Sequence, residues 1–183
     1  MPVNVSSCLS DQVKVGERCF KVSAHDEKAS FEDAVKNCTS HATQLMELHS
    51  QLEVDSLPQI VANDQYEDFW LNGRPSVPCK YIEDSPGAQV VWANKTNTFV
   101  LDADVEIPNV DTSCCLIYES AFVNSPFQWM PCHVKHRYIC SIHLNQINKK
   151  HVELALEETA RKYQNSSTNR TLIEHDFPLI SQW

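Results

Sequence analysis

Eight cysteines, at positions 8, 19, 38, 79, 114, 115, 132 and 140, are the most reactive side chains in this 183-residue sequence. Cysteines serve as nucleophiles, metal ligands or disulfides, and spacing separates these uses. No Cys-x-x-Cys pair occurs and the gaps are long and uneven, which is not how thiolate zinc sites are spaced. The even number fits four bridges, and a bridged cysteine has no thiolate to attack with. No Gly-x-Ser-x-Gly elbow or other pairing of nucleophile and base occurs, so no enzyme is expected. His133 and His136, three residues apart, have the spacing to share a zinc ion, but no third ligand stands beside them and they read as surface or loop histidines. Asp102, Asp104 and Glu106 alternate, so on an extended chain their carboxylates would share one face, with Asn109 and Asp111 nearby. Such oxygens suit a hard cation. Without a glycine turn or fixed ligand spacing, the run reads first as a solvated acidic loop and as a patch for a basic protein partner.

Five Asn-x-Ser/Thr sequons, at Asn4, Asn37, Asn94, Asn165 and Asn169, agree with the disulfide reading, because glycosylation and oxidation share the secretory route. An extracellular protein is expected. The formal net charge of −9, without any Lys/Arg-rich run, repels phosphate backbones and anionic bilayers and excludes nucleic acid as a partner. No apolar run reaches the ~20 residues that span a bilayer, and the first residues lack a signal-peptide pattern. Any leader or membrane anchor is expected to lie outside these residues.

The elements that must position these groups are legible in part. Cys8 to Cys19 encloses Gly16 and then CFKV alternates, which predicts a stapled hairpin with a half-buried strand. Ser30-Phe-Glu-Asp is a capped start, with Phe31, Ala34, Val35 and Cys38 on one face of a helix over residues 31 to 40. Ser50-Gln-Leu-Glu predicts a second helix with Leu52, Leu57, Ile60 and Val61 in the core, kinked at Pro58 or beginning nearer Asp55. From Phe69 onward, short runs (FWLNG, VVWA, TFVL, CCLIY, RYIC) separated by turn residues predict strands joined by irregular loops, hence an α+β domain. Residues 145 to 164 carry a helical stripe at Val152, Leu156, Ala160 and Tyr163, which predicts an extra C-terminal helix serving as a stalk or docked element.

The Cys8/Cys19 hairpin, the segment SFEDAVKNC, the strand segment FWLNG and the order CLIY, Trp, Cys, RYIC together resemble a C-type lectin-like domain of the long form, over residues 8 to 142. Residues 1–7 would then be a leader of the mature chain and 143–183 a C-terminal helix and linker. The resemblance implies the bridges Cys8–Cys19 and Cys38–Cys140. It pairs Cys132 with Cys115 or Cys114, the alternation of Cys-Leu-Ile-Tyr favouring Cys115, and leaves Cys79 to the other.

In sugar-binding members of that family, calcium takes oxygens from a Glu-Pro-Asn or Gln-Pro-Asp loop and from a Trp-Asn-Asp strand. Here Gln128-Trp129-Met130-Pro131-Cys132 keeps the tryptophan and replaces the Asn and Asp, while Glu106-Ile107-Pro108-Asn109 carries an inserted isoleucine. Methionine does not ligate a hard dication, so no calcium cofactor is expected. The resemblance then implies an extracellular module, secreted or part of an ectodomain, that binds a protein ligand without calcium through a long loop over residues 74 to 113. The candidate contacts are Trp92, Asp102, Asp104, Glu106, Asn109, Asp111 and Trp129; the resemblance gives Trp70, Trp92 and Trp129 to the core or loop platform, with Trp92, followed by the Asn94 sequon, the one expected to be partly exposed. A glycan ligand at a remodelled or metal-free surface and a role as an assembly unit are the alternatives.

Overall fold

The computed structural model describes residues 7–62, 64, 66–82, 89–101, 113–121, 126–147, 156–158 and 161. One compact unit spans Ser7–Leu144. In the other unit, residues 145–147, 156–158 and 161 are helical, and most of the expected C-terminal helix lies outside the described residues.

Strands β1 (Val13–Val15) and β2 (Arg18–Val22) form the expected hairpin, turning at Gly16, whose φ of 57° is the left-handed conformation that glycine adopts without penalty. β2 does not alternate strictly, because Cys19 and Phe20 are both buried. Helix α1 (Phe31–Ser40) starts at Ser30, whose Oγ accepts from the Asp33 amide at 3.3 Å. It buries Phe31, Ala34 and Cys38 as its spacing predicts. After β3 (Gln44–Leu45), helix α2 (Gln51–Ile60) starts at its Ser50 cap rather than near Asp55. Pro58 sits in its last turn, where the missing N–H costs only the bond to the Val54 carbonyl. Leu52, expected in the core, is 60% exposed, because the buried first-turn position belongs to Glu53.

The main sheet runs β1-β2-β9-β4-β7-β8, with β4 (Asp68–Trp70), β7 (Cys114–Glu119), β8 (Phe127–Pro131) and β9 (Arg137–His143). β9 is the axis. One edge pairs antiparallel with β2, from Arg18 opposite His143 to Val22 opposite Ile139. The other edge is shared by β4, in parallel at Arg137 and Tyr138, and by β3 at Cys140 and Ser141. A separate two-stranded sheet joins β5 (Gly73–Pro75) and β6 (Val90–Trp92), and a single 3₁₀ turn covers Cys79–Tyr81. The expected strand at Thr98–Leu101 is absent. There Asn97 takes over the backbone's role, its Nδ2 donating to the Leu48 carbonyl at 3.0 Å and its Oδ1 accepting from the Phe99 amide.

β7 divides the core. Cys114, Leu116 and Tyr118 face a large cluster with Phe20, Phe69 and Trp129, while Cys115 and Ile117 face a smaller one with Phe31, Trp70 and Tyr138 under α1. Neighbouring cysteines on a strand point to opposite faces, and they find different partners: Cys79–Cys114 on one side and Cys115–Cys132 on the other. Cys8–Cys19 staples the hairpin to the N-terminal segment, and Cys38–Cys140 ties α1 to β9.

Candidate functional site

The described roots of the long loop are β5, the 3₁₀ turn, β6 with the following Asn94–Leu101 segment, and the starts of β7 and β8. The sheet carries this end of the molecule close to the core at Gly73. A Cβ there would lie 2.7 Å from Val90 Cγ1 and 2.8 Å from Leu116 Cδ2, so only glycine lets the β5–β6 pair lie on β7.

Glu47 organises the segment after β6. Its side chain is almost fully buried, and its Oε1 accepts from Asn72 Nδ2 at 3.2 Å and from the Asn94 amide at 2.9 Å. Oε2 accepts from Asn97 Nδ2 at 3.3 Å and lies 3.8 Å from His49 Nε2. A buried carboxylate is tolerable only when such donors replace its water. His49 does not readily bring a compensating charge, because burial, and then the nearby Arg18 guanidinium, lower its pKa below the usual histidine value. Arg18 instead pairs with Glu53: Nη1 donates to Oε1 and Oε2 at 2.8 and 2.9 Å and to the Glu47 carbonyl, and Nη2 donates to Ser141 Oγ. Sequence reasoning passed over both Glu47 and Arg18. The available signal was an acid inside the apolar run Leu45-Met46-Glu47-Leu48, which marks a carboxylate carried into the core with a purpose.

Both candidate tryptophans are part of the platform and not of its surface. Trp92, expected in the core or platform but partly exposed, is only 4% accessible, because its ring packs in the large cluster and its Nε1 donates to the Phe99 carbonyl at 2.8 Å. Trp129 is fully buried, and its Nε1 finds no acceptor among the described residues. Met130 and Pro131 lie opposite Cys115 and Cys114 in the β7–β8 ladder and offer no side-chain oxygen, so this strand does not fit the calcium ligation that its position would serve. Among the described residues no group of three His, Cys, Asp or Glu side chains is placed to hold a metal. His136 Nδ1 lies 3.4 Å from Asp68 Oδ2 and its ring stands edge-on to Trp70, whereas His133 is exposed. Asp102, Asp104, Glu106, Asn109 and Asp111 lie outside the described residues, as do Asn4, Asn165 and Asn169. Asn94 is exposed and its Oδ1 accepts from the Thr96 amide and hydroxyl, and Asn37, also exposed, donates to the Tyr138 hydroxyl at 3.2 Å.

On the other flank of the loop, a shallow cleft of about 560 Å³ lies between β5 and the start of β7. Arg74, Ser76 and Lys80 line it along one stretch of chain, Ser113 along the other, and the Cys79–Cys114 bridge closes it. Arg74 is laid over the Phe31 ring at 4.7 Å and its Nη2 donates to Glu32 Oε1 at 2.5 Å. Lys80 Nζ sits 4.6 Å from the centroid of Tyr81.

Comparison with known proteins places this geometry. The model of the family described as "Lectin C-type domain" matches residues 27–142, more than half of the chain. A curated relative, C-type lectin domain family 4 member A of Rattus norvegicus, is 26% identical over 144 residues, covering 75% of this chain and 55% of its own length. The chain thus spans about half of that relative. Among solved structures, a calcium-dependent type II antifreeze protein in its calcium-free form aligns with a TM-score of 0.57 at 19% identity, covering 74% of this chain and 99% of its own. A calcium-independent type II antifreeze protein aligns at 0.54 and 20%, covering 75% and 95%, and SPL-1 in complex with GlcNAc at 0.56 and 18%, covering 75% and 96%. At such identities the likeness concerns the fold alone. One architecture carries both calcium-dependent and calcium-independent proteins, so the question of calcium passes to the residues.

Proposed function

The chain belongs to the C-type lectin domain family, and from that premise we propose that it is an extracellular module which binds a protein ligand, without calcium, through the long loop over residues 74–113. The observation that carries this reading is Met130-Pro131 in β8, directly after the buried Trp129, where a calcium site would need oxygen ligands. Four disulfides and exposed sequons at Asn37 and Asn94 support the extracellular setting. The acidic residues Asp102, Asp104, Glu106 and Asp111, with Asn109 among them, are the candidate contacts for a basic partner surface, and Trp92 and Trp129 act from the core, by stiffening the described roots of the loop. No helix among the described residues is long and apolar enough to cross a membrane.

The test is a binding panel of secreted and cell-surface proteins run with and without a chelator, paired with calorimetric titration of calcium into the chelated protein. A protein ligand retained under chelation, with no calcium heat and no shift in melting, is the expected result. Calcium binding that raises the melting temperature would overturn the calcium-independent reading. A glycan reading draws its support from the GlcNAc complex of the structural neighbour SPL-1. It predicts glycan-array signals that survive deglycosylation of this chain.

A further inference from the structure

We propose that the cleft closed by Cys79–Cys114 receives a single acidic side chain, Asp or Glu, of the protein ligand. This rests on the protein-binding reading above and assigns that ligand a chemical feature. The sequence carries a net charge of −9, yet the described side chains lining the cleft include two cations, Arg74 and Lys80, and no carboxylate. Among the described residues, the sign of the lining is therefore opposite to that of the whole sequence. The overall negative charge disfavours polyanions such as nucleic acid or sulfated polysaccharide, while two cations at short range still favour one carboxylate.

The two cations differ in readiness. Arg74 is held in place by its stack on Phe31, and its pair with Glu32 is exposed at both ends, 45% and 64%. An exposed pair of this kind contributes little and can share its fork with an incoming carboxylate. Lys80 has no carboxylate partner among the described residues and only the Tyr81 ring beside it. Ser76 and Ser113 add hydroxyls on the two walls. The bridge and the neighbouring prolines 75 and 78 fix the walls before binding, which lowers the entropy cost of capturing a small group. A volume of about 560 Å³ holds one side chain with its flanking backbone.

The probe is N-acetylaspartate N-methylamide, with the asparagine analogue as its neutral control, titrated into the intact glycosylated chain and followed by amide chemical shifts. Saturable shifts at Ser76, Lys80 and Ser113 with the aspartate probe alone are expected. They should be lost in Lys80→Gln and in Arg74→Gln, with the remaining amide spectrum unchanged. Equal shifts with the neutral probe, shifts spread over all basic residues, or persistence in Lys80→Gln would overturn the proposal. So would saturation by sialyllactose with no response to aspartate, since the occupant would then be a sugar acid. This titration needs no protein ligand: a binding panel without hits bears on the proposed function, and a silent cleft bears on this inference. Against a ligand found by the panel, Lys80→Glu should weaken binding by at least roughly tenfold, and more at low salt.

Discussion

The regions on either side of β7 are built on different principles. Under α1, backbone ladders and apolar faces do most of the holding: Phe31, Ala34 and Cys38 dock on Trp70, Ile117 and Tyr138, and Trp70 Nε1 donates to the Ala29 carbonyl at 2.8 Å. At the loop roots, regular pairing shrinks to the three-residue β5–β6 ladder, and side chains take over, with one carboxylate holding Asn72, Asn94 and Asn97. The first region is specified by periodicity and tolerates variation that keeps its pattern. The second is specified by individual residues, and that leaves its outer surface free to change without disturbing the sheet.

The sharpest way to break the contrast is to cut Cys38–Cys140. It closes the longest disulfide loop and lies with Cys38 in the buried cluster, so Cys38→Ala with Cys140→Ala should cost about 2–5 kcal/mol and abolish secretion, read as protein in the medium. Removing Cys79–Cys114 by paired substitution opens a shorter loop, at the cleft. It should cost ~2–4 kcal/mol, leave a folded, secreted domain, raise hydrogen exchange at residues 76–82 and weaken ligand binding. Unchanged binding in that variant would remove the loop from the site. Glu47→Ala should cost about 1–3 kcal/mol by orphaning its donors, and limited proteolysis should then cut at Asn94–Leu101 while α1 and β9 stay protected.

The smallest effect concerns acid. His49 has a folded pKa lowered from 6.5, so the unfolded chain binds its proton more readily, and stability is full above that value and falls as pH drops below it. His49→Gln should flatten that part of the melting curve against pH, whereas an unaltered slope would assign the acid sensitivity to other groups.

These differences also decide what could be read from the sequence. The capped starts of both helices, the hairpin turning at Gly16 and the runs CCLIY and RYIC followed local rules, and the structure has them where those rules put them. Strand alternation favours Cys115 as the partner of Cys132, and period two is what sends the vicinal cysteines apart. Reasoning from local pattern failed where a distant side chain intervened. Thr98–Leu101 has strand composition, but Asn97 competes for its backbone. Leu52 looks like a core residue until Arg18 draws Glu53 inward in its place. Trp92, beside its sequon, reads as partly exposed because nothing local announces that the Phe99 carbonyl accepts from its indole N–H. Of the candidate contacts, the two aromatic ones became foundations, and the cationic cleft at Arg74 and Lys80 went unnoticed because its walls are 33 residues or more apart in sequence.

The adjacent cysteines of β7 carry one more implication, for how the chain matures. A strand that slipped by a single residue would present Cys114 to Cys132 and Cys115 to Cys79, exchanging both partners and turning the strand inside out. Oxidation thus writes the alignment of β7 permanently into covalent bonds, and a chain sealed in the wrong frame could be repaired only by reshuffling two bridges together. The ratio of the two linkage isomers after refolding, counted by peptide mapping, would record how often the strand finds its frame before it is locked.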